Sequence, residues 1–233
     1  MDYVEMSKKI VNILGLQTEP VAVTLIKKGE KLPEGYVEPE KPIRHCQSIM
    51  RARKGEMLLV PEAKEACPVG ASALGMVPIP EKVKSGEFHH NLGMYESAQA
   101  AAKMIEQRSA LEEGSIQAVA VSPLSKAKLI PDVVIITGTP EQVYWLIPAA
   151  TTFSIGGRVT VEMASMQASC VDSTVIPLVK GNINVSLGCF GCRKSTDIKP
   201  EEMLVGIPMN KLPDMVKVLE QLGAGPIPKS RTK

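Results

Sequence analysis

At 233 residues the chain is long enough for one large domain or two small ones, and it can bury a real core. Its 27 basic and 25 acidic residues leave a net charge of +2, which gives no electrostatic case for binding nucleic acid or an anionic membrane. Aromatics are only 3% of residues, so stacking pockets for flavin or bases are hard to build, and aliphatic side chains with twelve methionines must fill the core. No segment approaches the run of ~20 apolar residues that spans a bilayer. The start, Met1-Asp2-Tyr3-Val4-Glu5, lacks the apolar core of an export signal, so a cytoplasmic location with reduced thiols is expected.

Asp2, with Glu5 three residues on, has the form of a capping box, and Gly15 sits where a helix stops, which predicts a helix over 3–14. Val21–Ile26 is apolar and rich in β-branched residues, as in a strand covered on both faces. A loop rich in Pro, Glu and Lys comes next, then a helical pattern from Arg44 to Arg53 and a short strand at 56–60 stopped by Pro61. The basic run Arg51-Ala52-Arg53-Lys54 has no stacking aromatics and reads as a solvated helix end. Pro68 suits a first helical position, which puts Cys67 at the N-cap of a short helix, where dipole and free amides favour a thiolate.

Residues 95–110 predict an Ala-rich helix, and 117–122 and 132–137 buried strands. Thr139-Pro140-Glu141-Gln142 is a strong helix start, and Pro148 ends or kinks that helix. Gly156-Gly157 reads as a turn, with an anion nest as the weaker option, and Arg158–Val161 as a strand. Residues 166–179 are ambiguous. Asn184–Leu187 leads into a glycine-bearing loop holding Cys189 and Cys192, then come a strand or loop at 203–208 and a helix at 213–222.

Five cysteines, an odd number in a chain expected to stay reduced, read as metal ligands or reactive thiols before disulfides. Cys189-x-x-Cys192 lets two sulfurs on one turn reach the same centre, and Cys46, Cys67 and Cys170 can complete a shell. The bland alternative makes them small buried hydrophobes, above all Cys170, which lies in an apolar run. An iron–sulfur cluster, of the four-iron type, ranks above zinc. Structural zinc usually pairs two such hooks and only one is present, while Cys-Pro is familiar at cluster ligands. Redox cycling of the Cys-x-x-Cys pair is a further reading, with Arg193 and Lys194 placed to stabilise a thiolate. The long helix that usually succeeds such a motif is not suggested.

His45 is read as an exposed helix-end residue, with ligand or hydrogen-bond donor as the sharper option. His89-His90 reads as a solvated loop, with metal binding or proton transfer as the option. No dinucleotide or phosphate-loop motif is present.

The two halves share an order of features. Val21–Val23 answers to Val119–Val121, Cys46 to Cys170 and Cys67 to Cys189, with offsets of 98, 124 and 122 residues. A duplication would set Cys46 and Cys67 opposite Cys170 and Cys189 around a shared centre, with Cys192 as a fifth ligand or a substitute.

Several blocks resemble a known family. They are Cys46-Gln47 with Arg51–Glu56, the Ala-Cys-Pro helix at Cys67, Pro131–Val134, Cys170–Thr174 and Gly188–Arg193. Together they make the chain similar, over roughly residues 5 to 222, to the prokaryotic family called domain of unknown function 169. The resemblance implies an α/β domain of prokaryotic cytoplasm and brings no established activity.

The expectation is therefore a single α/β domain over residues 1–233, made of two pseudo-repeated lobes (18–93 and 116–223) with mixed sheets and cysteine loops meeting between them. Its function is expected to be that of a cysteine-ligated metal protein holding an iron–sulfur cluster, with Cys46, Cys67, Cys189 and Cys192 as ligands and Cys170 as the spare. The alternative is a non-catalytic small-ligand module with structural zinc or free thiols. The expected partner is a small molecule or redox protein, with neither nucleic acid nor membrane, and with a homodimer left open.

Overall fold

The computed structural model describes residues 2–231, apart from the side chains of residues 151 and 152. The first element forms as its ends dictate. The Asp2 side chain accepts from Glu5 N at 3.0 Å, and Gly15 adopts the left-handed conformation (φ 69°) that stops the helix. Between them α1 (Tyr3–Leu14) buries Met6, Ile10 and Leu14. The chain then runs through β1 (Val21–Lys27), a long loop, α2 (His45–Ala52), β2 (Leu58–Pro61) and α3 (Pro68–Ala73). Short helices α4 (Glu81–Lys84) and α5 (Glu87–Asn91) precede α6 (Ala98–Gln107), β3 (Ile116–Pro123) and β4 (Val133–Gly138).

Helix α7 (Pro140–Tyr144) starts at Thr139, whose hydroxyl accepts from Gln142 N, while the Gln142 side chain accepts from Thr139 N. Pro148 does not end the helical path but opens a wide π-helical turn (Pro148–Thr152) leading into α8 (Phe153–Ile155). The ambiguous segment resolves as helical, with a second π-helical turn (Val171–Val175) running into α9 (Ile176–Lys180). Here Pro177 has no N–H to give the preceding turn, and Ile176 N bonds back to Val171 O, five residues away. The rest is β5 (Asn184–Ser186), α10 (Phe190–Ser195), β6 (Met203–Pro208), α11 (Leu212–Gly223) and α12 (Pro226–Arg231).

Among the described residues six strands join one antiparallel sheet in the order β2-β3-β1-β4-β6-β5. The α/β class is as expected, with the strands gathered into this single sheet. Successive residues point to opposite faces. Val21, Val23, Val133 and Ile135 enter one core, and Ala22, Val134, Ile136, Val205 and Ile207 the other. Helices α1 and α11 cover the second face, and α2, α3, α6 and the α9 segment cover the first. Both faces are dry, which is why these strands read as unbroken apolar runs.

The order is symmetric about the β1–β4 pair: outward from β1 come β3 and β2, and outward from β4 come β6 and β5. In each wing a helical segment with a cysteine near its start precedes the edge strand, and a cysteine-capped short helix comes after it. These are Cys46, β2 and Cys67 in one wing, and Cys170, β5 and Cys189 in the other. From opposite edges the two segments run back over the same face.

Arg158–Val161, expected as a strand, is irregular. The buried Asn184 side chain takes the place of a ladder partner beside it, accepting from Glu162 N at 2.8 Å and donating to Glu162 O at 3.0 Å. The basic run also differs from expectation. Arg53 is only 5% exposed and pairs with Glu202 at 3.0 Å and Asp197 at 3.5 Å, clamping the loop after α10 to the end of α2. Among the described residues no helix is long and apolar enough to cross a membrane.

One close approach sets the spacing of the first face. A Cβ on Gly206 would stand 2.1 Å from Ser173 O and 2.7 Å from Pro177 Cγ, so the second π turn rests directly on β6. We expect Gly206→Ala to destabilise the protein by about 2–3 kcal/mol, read as a lower urea midpoint with little change in m. Glu202→Ala, which leaves the buried Arg53 guanidinium only its longer contact with Asp197, is expected to cost about 3 kcal/mol in the same measurement, whereas Glu56→Ala on the exposed Arg51 pair should cost less than about 1 kcal/mol.

Candidate metal centre

Two cysteines cap helices. Cys67 precedes Pro68 at the start of α3, and its sulfur accepts from Gly70 N at 3.4 Å. Cys189 precedes Phe190 at the start of α10, and its sulfur accepts from Cys192 N at 3.2 Å. Cys46 is in the first turn of α2, and Cys170 stands just before the second π turn. All five thiols are free, and all five line one cavity of about 410 Å³. Cys46, Cys170 and Cys192 are buried, while Cys67 and Cys189 are half-buried. The structure thus brings together every cysteine that the sequence singled out.

Backbone and polar contacts hold the pieces in place. A Cβ on Gly70 would lie 3.3 Å from Cys67 Cβ and 3.7 Å from Cys170 Sγ, so this turn of α3 packs at van der Waals distance from Cys170. Glu65 Oε1 accepts from Cys67 N at 2.9 Å and His45 N at 3.2 Å, fixing the start of α3 to the start of α2. Across the wings, Arg44 Nη1 donates to Gly191 O at 3.4 Å and bonds the Ser195 hydroxyl, while Gln47 Nε2 donates to Ser195 O at 3.1 Å. Ser169 Oγ sits 3.2 Å from Cys192 Sγ.

The thiols are not equivalent. Hydrogen bonds from Cys189 and Cys46 pull Cys192 well down against the cost of its burial, with Ser169 adding a further bond. The same bonds to Cys192, reinforced by burial, push Cys46 and Cys189 well up. Of the three bonded sulfurs, Cys192 is thus the one most inclined to ionise. Burial also pushes Cys170 up, and it pushes Cys67 up, outweighing the helix-cap amides expected to favour its thiolate. Burial raises Glu65 to about 7 and lowers His45 to about 4. Burial of this kind penalises separate negative charges on neighbouring thiols. Among the described residues no group of three or more His, Cys, Asp or Glu side chains is placed to hold a metal ion.

Several neighbours differ from expectation. His45 is buried rather than exposed, with Nε2 2.9 Å from Thr174 Oγ1. His89 is not in a solvated loop: it lies on α5, is 3% exposed and lines the cavity. Gly86 makes this possible, because a Cβ there would stand 2.0 Å from Ala98 O, so the α5 segment packs tightly on α6. Cys189 and Cys192 sit on a six-residue helix, too short to match a long dithiol helix. Arg193 does not serve the thiols. Its guanidinium is spent on carbonyls of Leu187, Lys199 and Glu202, while Lys194 lies over the Phe190 ring at 5.8 Å. Glu65 and Arg44 went unnoticed in the sequence because no motif marks a residue whose partners lie in another segment.

The model of domain of unknown function 169, described as an uncharacterised ArCR, matches residues 9–218. An uncharacterized protein of Methanocaldococcus jannaschii is 34% identical over 218 residues, covering 93% of each chain. No solved structure matches significantly. The match spans the whole cavity, its walls and the sheet beneath, and on that extent the chain belongs to the family called domain of unknown function 169.

Proposed function

We propose that this protein holds an iron–sulfur cluster in the cysteine-lined cavity and uses it in redox or cluster-dependent chemistry. The observation that carries the reading is the meeting of five free thiols, from four separate segments, around one space of about 410 Å³. Cluster ligands surround an inorganic core of several atoms; the cavity offers space on that scale beside the sulfurs, and Cys46, Cys189 and Cys192, which bond to one another, would have to part to ligate it. The apolar walls supplied by Phe88, Leu92, Met94 and Met166 would shield such a core from water. Cys46, Cys67, Cys189 and Cys192 are the proposed ligands, and Cys170, buried behind Gly70, is the spare.

A second reading keeps the cavity as a small-ligand site with zinc or free thiols. The same mostly apolar lining favours it, because a cluster carrier needs no wide apolar vestibule.

Anaerobic purification separates the two. A bound cluster gives a brown protein with an absorption band at about 400 nm and iron with acid-labile sulfide on analysis. We expect Cys46→Ser, Cys67→Ser, Cys189→Ser and Cys192→Ser each to lose most of the iron, and Cys170→Ser to keep most of it. Colourless protein that takes up neither iron nor sulfide on anaerobic reconstitution would sink the cluster reading, and stoichiometric zinc would support the second.

A further inference from the structure

His45 is 2% exposed, and its Nε2 lies 2.9 Å from Thr174 Oγ1. A threonine hydroxyl has one proton, and Thr174 donates its own to Ser169 O at 3.0 Å. Thr174 Oγ1 can therefore only accept from His45, so Nε2 carries the ring proton and Nδ1 is bare. Nδ1 has no hydrogen-bond partner and is not sealed inside the protein, and the space that His45 borders is the thiol cavity. A buried imidazole thus offers an uncommitted lone pair at the cavity wall.

The residue is held on every side. His45 N donates to Glu65 Oε1 at 3.2 Å, and His45 O accepts from Ser48 Oγ at 2.7 Å. Thr174 stands on the second π turn, which rests on β6 at Gly206. A metal-binding histidine has this pattern: a hydrogen bond at one ring nitrogen fixes the tautomer and aims the other. Cys46 is next in the chain, and Cys192 is near enough to act on the ring electrostatically. Burial favours a neutral donor here. Cys46, Cys170 and Cys192 are already out of water, and each further thiolate adds negative charge to an apolar space, whereas imidazole ligates without charge. His89, also on the cavity wall, lacks the second feature, because among the described residues no hydrogen bond fixes its tautomer and its Nδ1 is sealed.

We propose that His45 is a non-cysteine ligand of the metal centre, binding a transition-metal ion of intermediate softness, such as iron or zinc, through Nδ1 beside the Cys192 sulfur. This role rests on reading the cavity as a metal site, and it holds for one iron of a cluster or for a single ion alike. Binding would draw Cys192 out of its bonds with Cys46 and Cys189. Thr174 is then a positioning residue, which keeps the ring proton on Nε2.

The test is nuclear magnetic resonance of the full chain, metal-free, reduced and isotope-labelled at its histidine nitrogens, with cadmium(II) enriched in a magnetic isotope as the probe. The chain has three histidines, so three rings are read. Before metal is added His45 should be the Nε2–H tautomer. Its Nδ1 signal should then be split by bound cadmium, with His89 and His90 unsplit. Thr174→Val, close in shape, should lose the fixed tautomer and weaken cadmium binding about tenfold, and His45→Gln should weaken it at least as much. If a variant is unfolded by circular dichroism, the splitting in the unchanged protein decides alone. A proton on Nδ1, cadmium bound without splitting, no cadmium bound, or unchanged affinity in the folded variants would overturn the proposal. Protein that takes up no iron or sulfide yet shows the split signal sinks only the cluster. Protein that purifies with a cluster, but whose metal-free form binds cadmium with Nδ1 unsplit, sinks only the ligand role of His45.

Discussion

The molecule depends on one contact without a side chain, the seat of the second π turn on β6 at Gly206. Because no Cβ intervenes, the backbone around Ser173 lies against the strand itself. That contact fixes the height of the whole helical segment above the sheet. It carries Cys170 toward α3 of the other wing, Ser169 to Cys192 of its own, and Thr174 to His45. Raised by the width of a methyl group, the segment would no longer meet α2 and α3, and the cavity would open at its floor.

From that seat the chemistry arises by burial. Thiols gathered out of water resist ionising, and Cys192 alone is pushed the other way, because two neighbouring thiols and a serine hydroxyl are placed to donate to it. The other sulfurs keep their protons. With no counter-charge beside them, ionising several of these buried thiols at once is costly. Charged residues nearby are used differently. Arg53 and Arg193 spend their donors on carboxylates and carbonyls and hold the second wing's loops, while Arg44 joins the two wings at the cavity edge.

The antiparallel sheet gives the two wings a common face. Edge strands β2 and β5 lie far apart, yet the capped helices after them turn back over the first core. The thiol cavity thus sits over the sheet on the face opposite α1 and α11. A rigid, two-sided sheet beneath it keeps its walls in register.

Much of this was legible in the chain. Local signals placed α1 between Asp2 and Gly15, started α7 at Thr139 and put Cys67 at a helix cap, because capping and turn chemistry act over three or four residues. Apolar runs identified β1, β3 and β4 for the same reason: a strand buried on both faces has nowhere to put a charge. The Arg158–Val161 run misled, since β propensity cannot tell whether a neighbouring strand exists to pair with. The burial of Arg53, His45 and His89 and the wide turns beside Pro148 and Pro177 were illegible. Each depends on what another segment, often more than a hundred positions away, places alongside. Sequence by itself determined which short segments would be helix, strand or cap, and that five thiols were available. Only the tertiary structure decided that those thiols share one space and that His45 borders it, because burial and electrostatic neighbours are properties of the packed chain and not of any stretch of it.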